Sequence, residues 1–285
     1  MNLSITGATG FVGGYVLREA LARGHTVTAL ARTVPDITHP NLTWIQGSLG
    51  TRDTELCDGA DTVIHIAGLI KARTRAAFMA VNRDATAALA SAAGESHILY
   101  LSSLAARELQ LSSYAASKRD GEDVIPTTSG IIRAPAVFGP GDEATRPYFA
   151  LMARGQLPVP GGKDWRSRRL SFVFIEDLAR HILDRAEAQD SGTTTPATLA
   201  SAKWSDFRNL AQDAADRPIA LRPIPTAALL PVAAATSLTS RLAGLGHLTL
   251  EKLREFQHPD WSVEEELADA TPMVDALRQT FESYR

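Results

Sequence analysis

Tyr114 and Lys118 stand four positions apart in "SSYAASK", a spacing that puts both side chains on one face of a helix, within reach of a shared ligand. A free phenol titrates at about pH 10, far too high for a base at neutral pH. A neighbouring ammonium favours the phenolate, so the pair suits exchange of a proton with a substrate oxygen. Just upstream, the apolar run "HILYLS" leads into two hydroxyls, its own last residue Ser102 and the next residue Ser103. A serine at a strand end beside such a pair can hold the substrate oxygen and stabilise charge developing on it.

A second constellation opens the chain. In "GATGFVG", Gly7, Gly10 and Gly13 follow the apolar run "LSIT" and lead into "FVGGYVLREALARG", where Val12, Val16, Ala20 and Leu21 fall on one helical face. Gly7 permits a tight turn, Gly10 lets backbone N–H groups approach a pyrophosphate, and Gly13 lets the helix pack closely on a sheet. Strand, glycines, amphipathic helix and second strand together predict dinucleotide binding. At the end of the second strand stands Ala31-Arg32, where an acidic residue would bond a ribose 2′-OH. With a guanidinium there and no carboxylate, NADP(H) is expected over NAD(H). The alternative is that Arg32 is a solvated strand-end residue.

The elements that must position these groups are legible as alternation. "LSIT", "TVTALA", "TVIHIA" and "HILYLS" are short apolar runs separated by helix-like stretches, which means βαβ units and a parallel sheet. The expected fold is α/β, a Rossmann-type doubly wound sheet with a smaller, discontinuous C-terminal domain. A fifth strand, "GIIRAPAVFG", precedes a change of texture near Pro140, beyond which proline, glycine and apolar loops become common. The strand and helix "SFVFIEDLARHILDRAEA" are expected to return to the first domain. The predicted division is residues 1–140 and 171–190 for dinucleotide binding, and 141–170 and 191–285 for substrate. "GTTTPAT", from Gly192 to Thr198, reads as a loop.

Composition narrows the rest. The 285 residues carry one cysteine, Cys57, so no internal disulfide forms, and no cysteine and histidine cluster has metal-ligand spacing. A reducing cytoplasm is expected, with the mature chain starting at Met1. A net charge of -3 argues against nucleic acid, and "RSRR" (Arg166 to Arg169) reads as a solvated loop or an anion site. The most apolar stretch, "TAALLPVAAATSLTSRLAGLG", is interrupted by Pro231 and Arg241, so no membrane span is expected.

The motifs occur jointly in an order that resembles the extended short-chain dehydrogenase/reductases, the NAD-dependent epimerase/dehydratase family. "TGATGFVG", "HIAG", "AVN", "LSS", "YAASK" and "RAPAVFGPGD" carry the resemblance, and "LSFVFIEDLA" resembles that family's return strand and helix. The resemblance makes Tyr114 the acid/base and Lys118 its partner, with Ser103 as the catalytic hydroxyl and Ser102 in reserve. It implies cofactor contacts at Gly7, Thr9, Gly10, Phe11, Val12, Gly13, Arg32, Ser48, Leu49, Ala67, Gly68, Asn82, Pro135 and Val137, besides Tyr114 and Lys118. Asn82 has the alternative role of a helix-interior asparagine bonding backbone. Ser48 is a departure, because the family usually has an aspartate there. Only ten residues separate Ser103 from Tyr114, a shorter linker than extended members commonly insert, and Ser112 within it reads as a helix cap.

Three functions follow from the resemblance. The first is an NADP(H)-dependent oxidoreductase acting on a small carbonyl or alcohol. The others are a nucleotide-sugar epimerase/dehydratase with retained NAD, and a non-catalytic cofactor-binding scaffold. Trp165, Phe172 and Trp204 suggest a moderately apolar pocket or a core. The expected partners are a small-molecule substrate and a second copy in a homodimer.

Overall fold

The computed structural model describes residues 1–243 and 249–284. The chain begins with β1 (Asn2–Thr6), α1 (Phe11–Ala22), β2 (Thr26–Ala31), β3 (Leu42–Gln46), α2 (Asp53–Cys57) and β4 (Thr62–His65). It continues through α3 (Arg75–Met79), a π-helical turn (Ala80–Asp84), α4 (Ala85–Ala93), β5 (His97–Ser103), a 3₁₀ turn (Leu104–Glu108), α5 (Ser113–Glu122) and β6 (Gly130–Ala134). Then come β7 (Ala136–Phe138), α6 (Arg146–Ala153), β8 (Gln156–Pro160), β9 (Arg169–Phe174), α7 (Ile175–Ala188) and β10 (Gly192–Thr194). The last elements are β11 (Leu199–Lys203), α8 (Trp204–Ala215), β12 (Ala220–Ile224), α9 (Thr226–Ala243), α10 (Leu250–Gln257) and α11 (Met273–Glu282).

Two compact units emerge. The first comprises Met1–Ala134 and Ala179–Thr195. Its sheet has seven strands in the order β3-β2-β1-β4-β5-β6-β10, every pair parallel. Strands buried on both faces read as continuous apolar runs, and β4 is buried along its whole length. The order reverses between β1 and β4, and in open α/β sheets ligands bind outside the carboxyl ends of the strands at such a reversal. One core cluster under this sheet joins Leu30, Ile45, Leu56, Cys57, Val63, Leu89, Ala93 and Ile98, so the single thiol is a packed core group.

The second unit comprises Pro135–Leu178 and Pro196–Arg285. It holds a three-stranded sheet, β11-β9-β7, and a parallel pair, β12-β8. Its core is aromatic: Phe172 stacks on Phe207 at 4.5 Å and Phe138 on Phe149 at 5.6 Å. Phe172 and Trp204 are buried there, as core members. Asp177 is buried and accepts hydrogen bonds from the Thr198 hydroxyl and from the N–H and hydroxyl of Thr271. Arg168 of "RSRR" is likewise built in, donating to the carbonyls of Pro160, Gly161 and Lys163. Leu230 and Val232 of α9, a helix that runs through Pro231, are about half exposed. Among the described residues no helix is long and apolar enough to cross a membrane.

Three sequence expectations fail here: "GIIRAPAVFG" is two strands, β6 in the large sheet and β7 in the smaller one, so the first unit's opening segment ends at Ala134 rather than at 140. The strand Arg169–Phe174 pairs with β7 and β11 instead of returning to the large sheet, so the first unit takes up 179–195 rather than 171–190. Gly192–Thr194, read as loop, is the edge strand of the large sheet, pairing with β6. It contains no apolar residue to announce it; Arg185 holds it instead, bonding the carbonyls of Asp190 and Ser191 and the Thr194 hydroxyl.

Candidate functional site

The glycine-rich turn lies at the carboxyl end of β1. Gly7 has φ +75°, in the left-handed region, and a Cβ on it would come within 2.8 Å of the Ala67 amide nitrogen. The Gly10 N–H donates to the Gly7 carbonyl at 2.9 Å, closing the turn. A Cβ on Gly13 would lie 2.0 Å from the Gly7 carbonyl oxygen, so the helix rests on the turn with no room for a side chain. Gly10 caps α1 without a side chain, and no acidic residue stands in the first turn. Thr9 and Gly10 are exposed, while Phe11 and Val12 are partly buried. A helix start with open backbone donors and partial positive charge fits a pyrophosphate.

Next to it, the end of β4 is held by a buried hydrogen-bond chain. Thr6 and His65 face each other in register on β1 and β4. The Thr6 hydroxyl oxygen accepts the N–H groups of Ile66 and Ala67, each at 3.1 Å, and lies 2.7 Å from His65 Nδ1. His65 Nε2 lies 2.9 Å from the Thr86 hydroxyl, which donates to the Asn82 carbonyl at 3.0 Å. The network assigns the proton to Nε2: Thr6 spends its hydrogen on Nδ1 because its oxygen already accepts two N–H groups. Burial, with the Lys118 charge adding to it, pushes His65 down to about 3 and keeps the ring neutral.

Asn82 sits on the π-helical turn and is buried. Its Nδ2 donates to the Leu69 carbonyl and to the Ser117 hydroxyl, both at 2.9 Å, while Oδ1 accepts the Leu69 N–H at 2.7 Å. Its side chain thus bonds backbone, as one of its two expected roles requires. It pins the exposed Gly68 segment to α5, and a Cβ on Gly68 would meet its Oδ1 at 3.0 Å.

α5 carries the tyrosine and lysine. The Ser112 hydroxyl accepts the Ala115 N–H at 2.9 Å and caps the helix, as its position suggests. Lys118 is buried; Nζ donates to the Leu101 carbonyl at 2.7 Å and sits 4.2 Å from the centre of the Tyr100 ring. Burial pulls the ammonium down to about 7, opposed by the charge of Glu122. Tyr114 is partly exposed, its ring centroid 6.1 Å from that of Phe78. Gly121 lets the helix seat: a Cβ there would meet the Asn82 carbonyl at 2.3 Å and the Tyr100 hydroxyl at 2.5 Å.

The two serines part company. Ser102 is buried and donates to Glu122 Oε1 at 2.5 Å. Ser103 is partly exposed at the end of β5, and its hydroxyl accepts the Ala105 N–H at 3.2 Å, starting the 3₁₀ turn that packs on α5. Ser102, held in reserve on sequence grounds, therefore faces the protein interior. Ser103→Ala is expected to lower kcat more than Ser102→Ala. Ser102→Ala is expected to lower stability by about 1.5–3 kcal/mol through loss of a buried charge-assisted bond. Steady-state kinetics and urea unfolding of both variants check this, and the reverse order of kcat would count against Ser103.

The remaining predicted residues divide between the two units. Arg32 is exposed after β2, and its carbonyl accepts a 3.5 Å bond from Gln46. Ser48 and Thr51 bond reciprocally, Thr51 Oγ1 accepting the Ser48 N–H and donating to the Ser48 carbonyl, while Leu49 packs on the core cluster. Pro135 and Val137 belong to the second unit, Val137 in β7 opposite Val173. Sequence reading missed Thr6, Tyr100, Gly121, Glu122 and Arg133. Glu122 carried one usable signal, its place one turn beyond Lys118 on the same helix.

Comparison with known proteins agrees with this architecture. The model of the NAD dependent epimerase/dehydratase family matches residues 3–196. A ceramide reductase of Caulobacter vibrioides (strain NA1000 / CB15N) is 35% identical over 306 residues, covering 99% of this chain and 94% of the relative. A 3 beta-hydroxysteroid dehydrogenase/Delta 5→4-isomerase of Mycobacterium tuberculosis (strain ATCC 25618 / H37Rv) is 28% identical over 231 residues, 66% of this chain and 61% of the relative. Among solved structures, UDP-glucuronic acid 4-epimerase from Bacillus cereus, in complex with NAD, has a TM-score of 0.70 at 15% identity, covering 100% of this chain and 98% of its own. The family description names NAD and stands nearer the epimerase/dehydratase reading than the NADP(H) reductase reading drawn from Arg32.

Proposed function

Because the chain belongs to the NAD dependent epimerase/dehydratase family and is an NAD(P)-dependent enzyme of the short-chain dehydrogenase/reductase type, we propose that Tyr114 exchanges a proton with the oxygen of a carbonyl or alcohol substrate. The observation that carries this is the setting of Lys118: a buried ammonium one turn from Tyr114, anchored to the strand that ends in Ser103. Its charge favours the phenolate, and Ser103 offers a hydroxyl to the substrate oxygen. Gly7, Thr9, Gly10, Phe11, Val12 and Gly13 would hold a pyrophosphate; Arg32, Ser48 and Leu49 would lie toward the adenosine; Ala67, Gly68 and Asn82 would shape the strand end beyond it. A bound nicotinamide dinucleotide supplies the hydride acceptor or donor.

Two finer readings divide on what happens to the substrate. The family description favours an epimerase or dehydratase that retains NAD. The relative matched over nearly its whole length favours net reduction of a lipid-like carbonyl compound, since its name describes a ceramide reductase and a second relative's name a steroid dehydrogenase. The exposed Arg32 supports NADP(H) for the reductase. One set of measurements separates them. Denaturing the purified protein and identifying the released nucleotide reads retention; titrating NADPH and NADH reads preference; oxidation of NAD(P)H to NAD(P)+ by ketones bearing long acyl chains reads net reduction. Stoichiometric retained NAD with no net oxidation of added NAD(P)H would sink the reductase reading, and equal affinity for NADPH and NADH would remove the role given to Arg32.

A further inference from the structure

We infer that Glu122 is a positioning residue of the acid/base pair: its buried carboxylate ties α5 to the ends of β5 and β6 and supplies the countercharge for Lys118, an inference that rests on the reading of Tyr114 and Lys118 above. The Glu122 side chain is 3% exposed. Arg133, on β6, grips it with both arms of the guanidinium fork, Nε donating to Oε1 at 2.9 Å and Nη2 to Oε2 at 2.6 Å. Ser102, on β5 immediately before Ser103, donates to Oε1 at 2.5 Å. One carboxylate thus fastens three elements together: the helix bearing Tyr114 and Lys118, the strand bearing Ser103, and β6. Bidentate, charge-assisted bonds of this kind set geometry as well as energy.

The same group faces Lys118 in charge. Glu122 stands four residues beyond Lys118, one turn along the same helical face. The ammonium's hydrogen-bond partner is a neutral carbonyl, of Leu101, and its other close neighbour is the uncharged Tyr100 ring. Around it lie neutral His65 on β4, Tyr100 on β5, and Tyr114 and Glu122 on α5; Arg133 reaches Glu122 from β6, and Arg119 and Asp123 pair at the helix surface. Of these, Glu122 is the carboxylate that opposes the effect of burial on Lys118. Without it the amine, already drawn down to about 7 by burial, loses still more of its charge at neutral pH, which weakens the cation that favours the Tyr114 phenolate.

The test reads Lys118 directly. In protein labelled with ¹³Cε-lysine, with the Lys118 signal assigned through Lys118→Arg, Glu122→Gln is expected to move the Lys118 titration about one pH unit or more lower. Turnover at pH 7 is expected to fall through kcat rather than KM. Glu122→Asp, which keeps the charge while shortening its reach to Arg133, leaves that titration near its original place. The double variant Glu122→Gln, Arg133→Gln keeps a hydrogen-bonded neutral pair, and serves where the single variant does not fold. If the ion pair is merely structural, the double variant restores both stability and the Lys118 titration, and the inference is overturned. An unchanged Lys118 titration in Glu122→Gln overturns it as well. Failure of the underlying reading shows differently: Tyr114→Phe would then keep full turnover, whatever Lys118 does.

Discussion

Replacing Tyr114 by phenylalanine is expected to lower kcat by about 10²–10⁴-fold, the usual yield of a positioned general acid/base, with nucleotide affinity little changed. The substitution removes one oxygen and keeps the ring, so the contact with Phe78 at 6.1 Å survives and α5 keeps its cap at Ser112. What disappears is the group proposed to give a proton to the substrate oxygen or take one from it. Lys118 cannot take over. Its Nζ is committed to the Leu101 carbonyl inside the fold, and the exposed end of the pair is the tyrosine. Steady-state kinetics with the best carbonyl substrate, beside a fluorescence titration of nucleotide, measures both quantities. A kcat within a few-fold of the unaltered chain would remove Tyr114 from the chemistry.

Gly13→Ala should cost both stability and cofactor binding. Its new methyl would lie 2.0 Å from the Gly7 carbonyl oxygen, 2.6 Å from the Gly7 carbonyl carbon and 2.9 Å from Ala8 Cα. All three atoms are backbone, so no flexible side chain can yield, and α1 must lift from the turn. Overpacking of this kind costs about 1–3 kcal/mol, against a helix-propensity gain for alanine of about 1 kcal/mol. Gly14→Ala is the matched control. Its methyl would meet only the Ala8 carbonyl oxygen and an Arg18 nitrogen, each at 3.8 Å, in ordinary contact. The pair is expected to diverge in urea unfolding, Gly13→Ala falling and Gly14→Ala holding or rising. The dinucleotide dissociation constant should rise about tenfold or more for Gly13→Ala alone, because the displaced helix start is the proposed phosphate cradle. Equal behaviour of the two variants would mean that the turn and helix are not packed this closely.

The five inner strands of the large sheet, β1, β2, β4, β5 and β6, were legible because they are largely buried and so declare themselves as apolar runs, as β4 does along its whole length, whereas the half-exposed edge strand β3 was not read. β10 was not, since an edge strand of Gly192, Thr193 and Thr194 buries too little to leave a hydrophobic trace. β9 was visible as a strand, yet nothing in its composition says which sheet it joins; pairing with β7 and β11 does. In the site, the glycines, Tyr114 and Lys118 were found by spacing. Ser102 and Ser103 were ranked by the resemblance alone, because adjacent residues alternate across a strand whose two faces the sequence leaves undetermined.

Sequence alone determined what depends on near neighbours: the glycine turn, the helix that puts Tyr114 and Lys118 on one face, the Ser112 cap, and the βαβ alternation behind them. Only the tertiary structure decided what depends on register between distant strands. Thr6 meets His65 59 residues away because β1 and β4 pair with those two in step. Ser102 meets Glu122 20 residues on, and Arg133 joins them from the next strand. Local periodicity is written in intervals of a few residues, whereas these partnerships arise from how strands align across hydrogen-bonded ladders, and no short interval in the chain encodes that alignment.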